Sequence, residues 1–431
     1  MNHFRNHFRK VRTSLHKDRS GMRHLNKDES ARKNRYRSRG QGGFTLVEML
    51  VVMGVFIFVI MIAGDSFIKI MKFSNLLSRR AESNIEGVIG LEMFRHDLNQ
   101  AGFGLPWSFS GSNKPQYSEA GASPANIYND TPSGIPRAFV AGNNLTVNNV
   151  NDSDYLVLKG TSLATTATSQ RWTYVNYSSA GSLKPRVWSS GNLADGDRVI
   201  VLRRQFTESG SMNQLIYDNT KPNEFFTTYS KDGFTTSQQA FAPSIPQETF
   251  FLYGVTRDQD PKRPFNRSDY FVSRPPGIPQ YCAPKTGVLY KTTLNHNDTG
   301  DLFYLPIMDC VANMQVVFGW DINEDGAIDT MSDADGTTVS GSGVSSTDIQ
   351  NTMNDAGQIR NRLKLVKVYL MVQDGRRDPT FTNNNTITVG DSAEKSLTKE
   401  YDVAALTSKE WLHYRWKIYR IVVNPKNLRV K

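Results

Sequence analysis

Residues 40–65 read GQGGFTLVEMLVVMGVFIFVIMIAGD. From Phe44 to Ala63 the run holds 20 residues and a single charge, Glu48. At about 1.5 Å of rise per residue, a helix of that length spans about 30 Å, the thickness of bilayer hydrocarbon. A carboxylate costs about 2.5–3.5 kcal/mol at the centre of such a helix and less near an end. Glu48 therefore either snorkels to the interface or meets a cation inside an assembly. A cut after Gly43 supplies that cation. Phe44 then carries a free α-amino group, and in a staggered helix bundle the amine of one helix meets the carboxylate of its neighbour.

The segment before the run is strongly basic. Residues 1–43 contain thirteen Lys or Arg and three acids, which equals the formal net charge of +10 of the whole chain. The other 388 residues are charge-balanced, so the basicity says nothing about a partner of the body. A basic flank keeps the N-terminus cytoplasmic and predicts export of the chain beyond the apolar run. A secretory signal places its small-residue cleavage site after the apolar run. Here Gly42 and Gly43 precede it, so the apolar helix is retained after cleavage.

Gly43-Phe44-Thr45-Leu46-Val47-Glu48, followed by an unbroken apolar run, resembles the class III signal of type IV pilins and of type II secretion pseudopilins. The resemblance implies cleavage between Gly43 and Phe44 by a prepilin peptidase, N-methylation of Phe44, and Glu48 as the assembly carboxylate. The leader is long for such a signal, and Met22 offers a second start that leaves a basic leader of 22 residues.

No proline occurs from Phe44 to Leu105. Beyond Gly64-Asp65 the apolar residues Ile70, Phe73, Leu77, Ala81, Ile85, Val88, Leu91, Phe94, Leu98 and Ala101 follow three- and four-residue steps. Arg79, Arg80, Glu82, Glu86, Glu92, Arg95 and Asp97 occupy the other face. This predicts one helix, about 87 Å long at about 1.5 Å per residue, ending near Gly102 with Gly104 and Pro106 as stop signals. The ending FRHDLNQAGFG, residues 94–104, resembles minor pilins of the PilW family.

Residues 107–431 lack helical periodicity. Strand-like runs recur at Tyr155–Lys159, Arg198–Arg203, Thr249–Val255, Gly287–Thr292, Met314–Trp320, Leu363–Val372 and Trp411–Val423. In the last, Leu412, Tyr414, Trp416 and Ile418 alternate with polar residues. Polar stretches at 108–150, 205–248 and 331–360 read as long loops. The expected fold is α+β: a long N-terminal helix packed on an antiparallel β-sheet head. Its divisions are a cleaved leader (1–43), a membrane and filament-core helix (44–63), an amphipathic stem (64–102) and a β-rich head (103–431).

Three further features bear on chemistry. Cys282 and Cys310 are the only cysteines and read as one disulfide of an exported domain, or as two buried thiols. Asp321-Ile322-Asn323-Glu324-Asp325-Gly326-Ala327-Ile328-Asp329 begins like a calcium loop. Asp321, Asn323, Asp325, the Ala327 carbonyl and Asp329 would be its ligands. Ser332 stands where a bidentate Glu is wanted, with Asp333 or Asp335 as substitutes, and the competing reading is an acidic β-turn. The C-terminal HYRWKIYRIVVNPKNLRVK mixes bases with aromatics, but reads as a strand with a solvated basic face, which makes nucleic acid an improbable partner. No zinc, P-loop or dinucleotide signature occurs, so neither an enzyme nor a cofactor other than calcium is implied.

The expectation is a minor pilin of the bacterial inner membrane with its head in the periplasm, later part of the pilus at the cell surface. It primes or supports type IV pilus assembly, adhesion or motility. Its implied partners are other pilins and minor pilins, the prepilin peptidase, the inner-membrane assembly platform and a PilY1-like adhesin. The alternatives are a J-type pseudopilin of type II secretion, a DNA-uptake pilin and a signal-anchored periplasmic enzyme.

Overall fold

The computed structural model describes residues 43–428, apart from 149, 180–182, 208–209, 222, 342, 385, 391–393 and 404–410. Within these bounds the side chains at 72–73, 75–86, 151, 206–207 and 210–211 are not described. The basic leader lies outside the described residues, Gly43 excepted, as do the side chains of Phe73, Leu77, Ala81 and Ile85 in the expected stem stripe. The chain divides into two compact units, residues 1–69 and 70–431.

Helix α1 covers Leu46–Gln100. Its segment Leu46–Met71 is long and apolar enough to cross a membrane, and none of it is buried by its own chain. The helix stops where Gly102 and Gly104 take φ of +86° and +65°, a left-handed conformation that glycine adopts without a Cβ penalty.

The stem docks through the last part of its predicted stripe, Leu91 to Ala101, but the stripe fails at Val88, and Asp97 of the expected polar face is buried. Phe94, Leu98 and Ala101 are buried, but Val88 is 53% exposed and Ile70 65%. Gly87 and Gly90 face the head in place of Val88. A Cβ at Gly90 would lie 2.6 Å from the carbonyl oxygen of Ile307, and one at Gly87 3.2 Å from the Met308 methyl. Residues 87, 90, 94, 98 and 101 keep helical spacing, and a pattern of apolar side chains does not register glycine as a contact.

The head is α+β with antiparallel sheets, as expected. Its strands in chain order begin with β1 (Ser108–Phe109), β2 (Phe139–Val147), β3 (Val150–Gly160), β4 (Trp172–Asn176), β5 (Arg198–Thr207) and β6 (Gly210–Ile216). Next come β7 (Thr227–Thr228), β8 (Thr249–Thr256), β9 (Asn266–Ser273), β10 (Gly287–Leu294), β11 (Leu302–Trp320) and β12 (Thr330–Ser332). The last are β13 (Val339–Ser340), β14 (Leu363–Gln373), β15 (Thr386–Val389), β16 (Lys399–Asp402) and β17 (Trp416–Val423).

The larger sheet runs β13-β12-β11-β10-β9-β3-β2, with β14 paired to β11 and β17 to β14. The smaller runs β1-β6-β5-β8-β4, with β7 on β5, and β15 pairs with β16 separately. The main core holds Phe94 and Leu98 of the stem together with Leu156, Tyr270, Leu289, Met314, Val368 and Ile421 of the larger sheet. The other face of β3 and β9 carries a second cluster, Tyr128, Val140, Tyr155, Val157 and Phe271.

Several expectations need correction. The C-terminal strand starts at Trp416, because Trp411–His413 form a 3-10 turn. Leu412, Tyr414, Trp416 and Ile418 nevertheless pack on one cluster. Residues 331–360 are no bare loop: they contain α2 (Ser346–Met353) and most of α3 (Ala356–Arg362). Ser345 accepts from the Asp348 N–H and Asp355 from the Gln358 N–H, capping patterns that were legible in the sequence. The 108–150 stretch contains β2 and the 205–248 stretch β6. β9 was missed because Asn-Arg-Ser-Asp reads as a turn, although all eight of its residues are buried.

Candidate assembly site

The site begins at the helix start. Thr45 and Glu48 form a reciprocal cap. The Thr45 N–H and hydroxyl donate to Glu48 Oε2 at 2.9 and 3.0 Å, and the Glu48 N–H donates to Thr45 Oγ1 at 3.2 Å. This satisfies N–H groups that a helix end leaves open and places a carboxylate at the positive end of the helix dipole. Glu48 is thus stabilised within its own chain before any partner arrives. Sequence reasoning assigned Glu48 but missed Thr45, although the Thr-x-x-Glu spacing signals it. Gly43 and Phe44 precede the helix in irregular, exposed chain, a form open to a peptidase.

Where the stem meets the head, Asp97 is 3% exposed. Its Oδ2 lies 2.5 Å from Lys291 Nζ on β10 and accepts from the Tyr270 hydroxyl of β9 at 2.8 Å. Phe94, one turn earlier, stacks on the Tyr270 ring at 3.9 Å. Burial pushes the Asp97 carboxyl up, against the opposing pull of Lys291 and Tyr270. One ion pair and one stacked ring therefore fix the stem on two adjacent strands.

The far face of β3 and β9 holds a buried ionic network. Lys159 and Arg267 stand directly opposite each other across the two strands. Their repulsion is offset by Glu119, 2.9 Å from Lys159 and 3.1 Å from Arg267. Arg267 also grips Asp269 with two nitrogens, at 2.7 and 2.8 Å. Asp130 bridges Lys159 at 2.5 Å and Arg137 at 2.6 Å. Burial alone would raise the Asp130 carboxyl, but those two cations hold it below the usual range. The 108–150 segment read as a loop is thus the lid that pairs and buries these charges.

The acidic turn after β11 is closed by its own backbone. Asp321 accepts from the N–H groups of Asp325 and Gly326 at 3.0 and 2.9 Å. Asn323 and Asp325 accept from Asp325 and Ala327, and Asp329 from Ile322 and Asn323. Lys364 Nζ lies 3.3 Å from Asp321. Ser332 is engaged by Trp320 Nε1, while Asp333 and Asp335 face Asn143 of β2. Among the described residues no group of three or more His, Cys, Asp or Glu is arranged to hold a metal.

Residues 269–427 match PilW, type IV pilus-assembly protein W, and residues 38–64 match the prokaryotic N-terminal methylation motif. Over residues 269–427 the chain is PilW-like. The two matches together support a membrane-anchored minor pilin of a type IV pilus, a structural component that meets prepilin peptidase and other pilus components. The PilW-matching region contains Tyr270, Lys291, Ile307 and Met308, which meet the stem. No curated protein and no solved structure matches the chain.

In this PilW-like head, Cys282 and Cys310 are joined in a disulfide with Cα atoms 5.0 Å apart. It ties the segment before β10 to the middle of β11. His296 is buried against Asn266 at 3.0 Å, and His413 contacts the Phe381 carbonyl. Both histidines therefore have structural partners.

Proposed function

We propose that the chain is a priming or structural minor subunit of a type IV pilus. It is inserted in the bacterial inner membrane with its head in the periplasm, cleaved after Gly43, and placed near one end of the filament. There it supports adhesion or motility. The observation that carries this reading is the Leu46–Met71 helix, apolar, capped by Thr45 and Glu48, and unburied by its own chain. Lipid covers it before assembly and neighbouring helices afterwards. A head of more than 300 residues suits an end of the filament better than its repeating wall.

Mass spectrometry of the mature N-terminus tests the reading. A methylated Phe44 is expected, and an intact leader overturns it. Glu48→Val is expected to leave cleavage intact and reduce piliation severalfold, read by counting surface pili. Normal piliation in that variant removes the amine–carboxylate pairing.

A further inference from the structure

One face of the smaller sheet borders the main core at Tyr253, which also meets Phe103 edge-on, and takes no part in the ionic network. Trp172 and Tyr174 alternate along β4 with buried Thr173 and Val175. Phe251 and Tyr253 do the same along β8, against buried Phe250 and Leu252. The next segment of chain lies along the β4 edge, its Arg186 N–H donating to the Tyr174 carbonyl and its Trp188 Nε1 to the Trp172 carbonyl. The five rings form one partly exposed cluster: Trp172 lies 5.3 Å from Trp188 and 6.2 Å from Tyr253, and Tyr174 lies 5.8 Å from Trp188 and 6.3 Å from Phe251. The opposite face carries a core of its own, and on this face Ile200, Leu202 and Leu215 are buried in the main core while the five rings stay half-buried.

The cluster is polar at its edges and positive around its rim. The register Leu202 to Phe251 puts Arg204, two residues on and exposed, on the aromatic face. Trp172 Nε1, the Tyr174 and Tyr253 hydroxyls and the Arg204 guanidinium have no hydrogen-bond partner among the described residues, and neither Arg186 nor Arg204 has an ion pair there. Residues 171–179, 183–190, 198–205 and 249–256, which build this face, contain no Asp or Glu. Nearby Glu248 is held by Arg203 at 2.9 Å.

We propose that this face binds an acidic glycan. Pyranose C–H faces rest on aromatic rings, sugar hydroxyls meet the free Trp and Tyr donors, and a uronate carboxylate complements Arg204. Trp172 and Tyr253 stack at 24°, but the other rings meet edge-to-face or tilted, with 61° between Trp172 and Trp188 and 63° between Tyr174 and Trp188. That gives a stepped surface rather than the parallel slots in which nucleic-acid bases stack. The proposal stands on the sheet alone and does not require the pilus reading.

Fluorescence titration of the full chain in detergent micelles with short oligomannuronate tests it, with cellohexaose and oligothymidylate as comparisons. Saturable binding of the uronate is expected, weakened about tenfold in Arg204→Gln, the loss of one charge-assisted hydrogen bond. Tyr174→Ala should weaken it similarly, and an unchanged melting temperature in Arg204→Gln shows that the fold is intact. No uronate binding at millimolar concentration overturns the proposal. So does binding that neither variant alters, equal binding of cellohexaose, or tighter binding of oligothymidylate.

Discussion

Asp97 shows how one residue links the helix to the head. Its charge is buried with that of Lys291, so removing one partner strands the other. Asp97→Ala is expected to destabilise the head by about 3–5 kcal/mol in denaturant unfolding, and the pair Asp97→Ala with Lys291→Met to recover most of that loss. Asp154 offers a pH signature. It is buried on β3, where it accepts from the N–H groups of Asn144 and Val316, and burial pushes its carboxyl from 3.8 up to about 7. The folded state then holds this proton more tightly than the unfolded chain. Its contribution to stability is full below pH 4 and is lost as pH rises towards 7. Asp154→Asn is expected to flatten the stability profile over that window; an unchanged slope counts against the assignment. At this scale the sequence disclosed Glu48 through its cost in lipid, whereas Asp97 reads as one more residue of the stem's polar face. Lys291 and Tyr270 were not legible, because only tertiary pairing brings them to Asp97.

The stem is the element whose existence was clearest and whose orientation was not. Its length, its apolar half and its glycine stop followed from pattern and proline absence. The buried face followed only from Leu91 to Ala101, since Gly87 and Gly90 act by lacking a side chain. Gly90→Leu is therefore expected to displace the stem from β11 and cost at least about 1–3 kcal/mol, the usual range for overpacking. Ala at Gly87, where the Met308 methyl can move, should cost less. Thermal unfolding of the two variants checks the order. β9 is the opposite case: a central strand invisible to hydrophobic patterning, because its Arg and Asp are neutralised by a segment more than 100 residues away.

Across the whole molecule, most aliphatic strands were found from sequence, while the short aromatic β4 and the elements made of polar residues were not. β2, β6, α2 and α3 lie in stretches of low hydrophobicity, and each is held by capping, ladder bonds or burial against a neighbour. The disulfide closes a separation of 28 residues between the segment before β10 and the middle of β11. Replacing both cysteines by serine is expected to cost about 3–4 kcal/mol by chain entropy, with the N-terminal helix unaffected in far-UV circular dichroism.

The ionic face of β3 and β9 has a consequence for how the chain rejects wrong structures. Side chains alternate between the two faces of a strand, so a slip of one position exchanges them all. In β9 that slip would drive Arg267 and Asp269 into the layer occupied by Tyr270 and Val272, and turn those two towards Glu119. Each misplaced charge would cost several kcal/mol. A hydrophobic strand tolerates such an error far better. The charged centre therefore works as a parity check, discarding mispaired sheets before the head is complete.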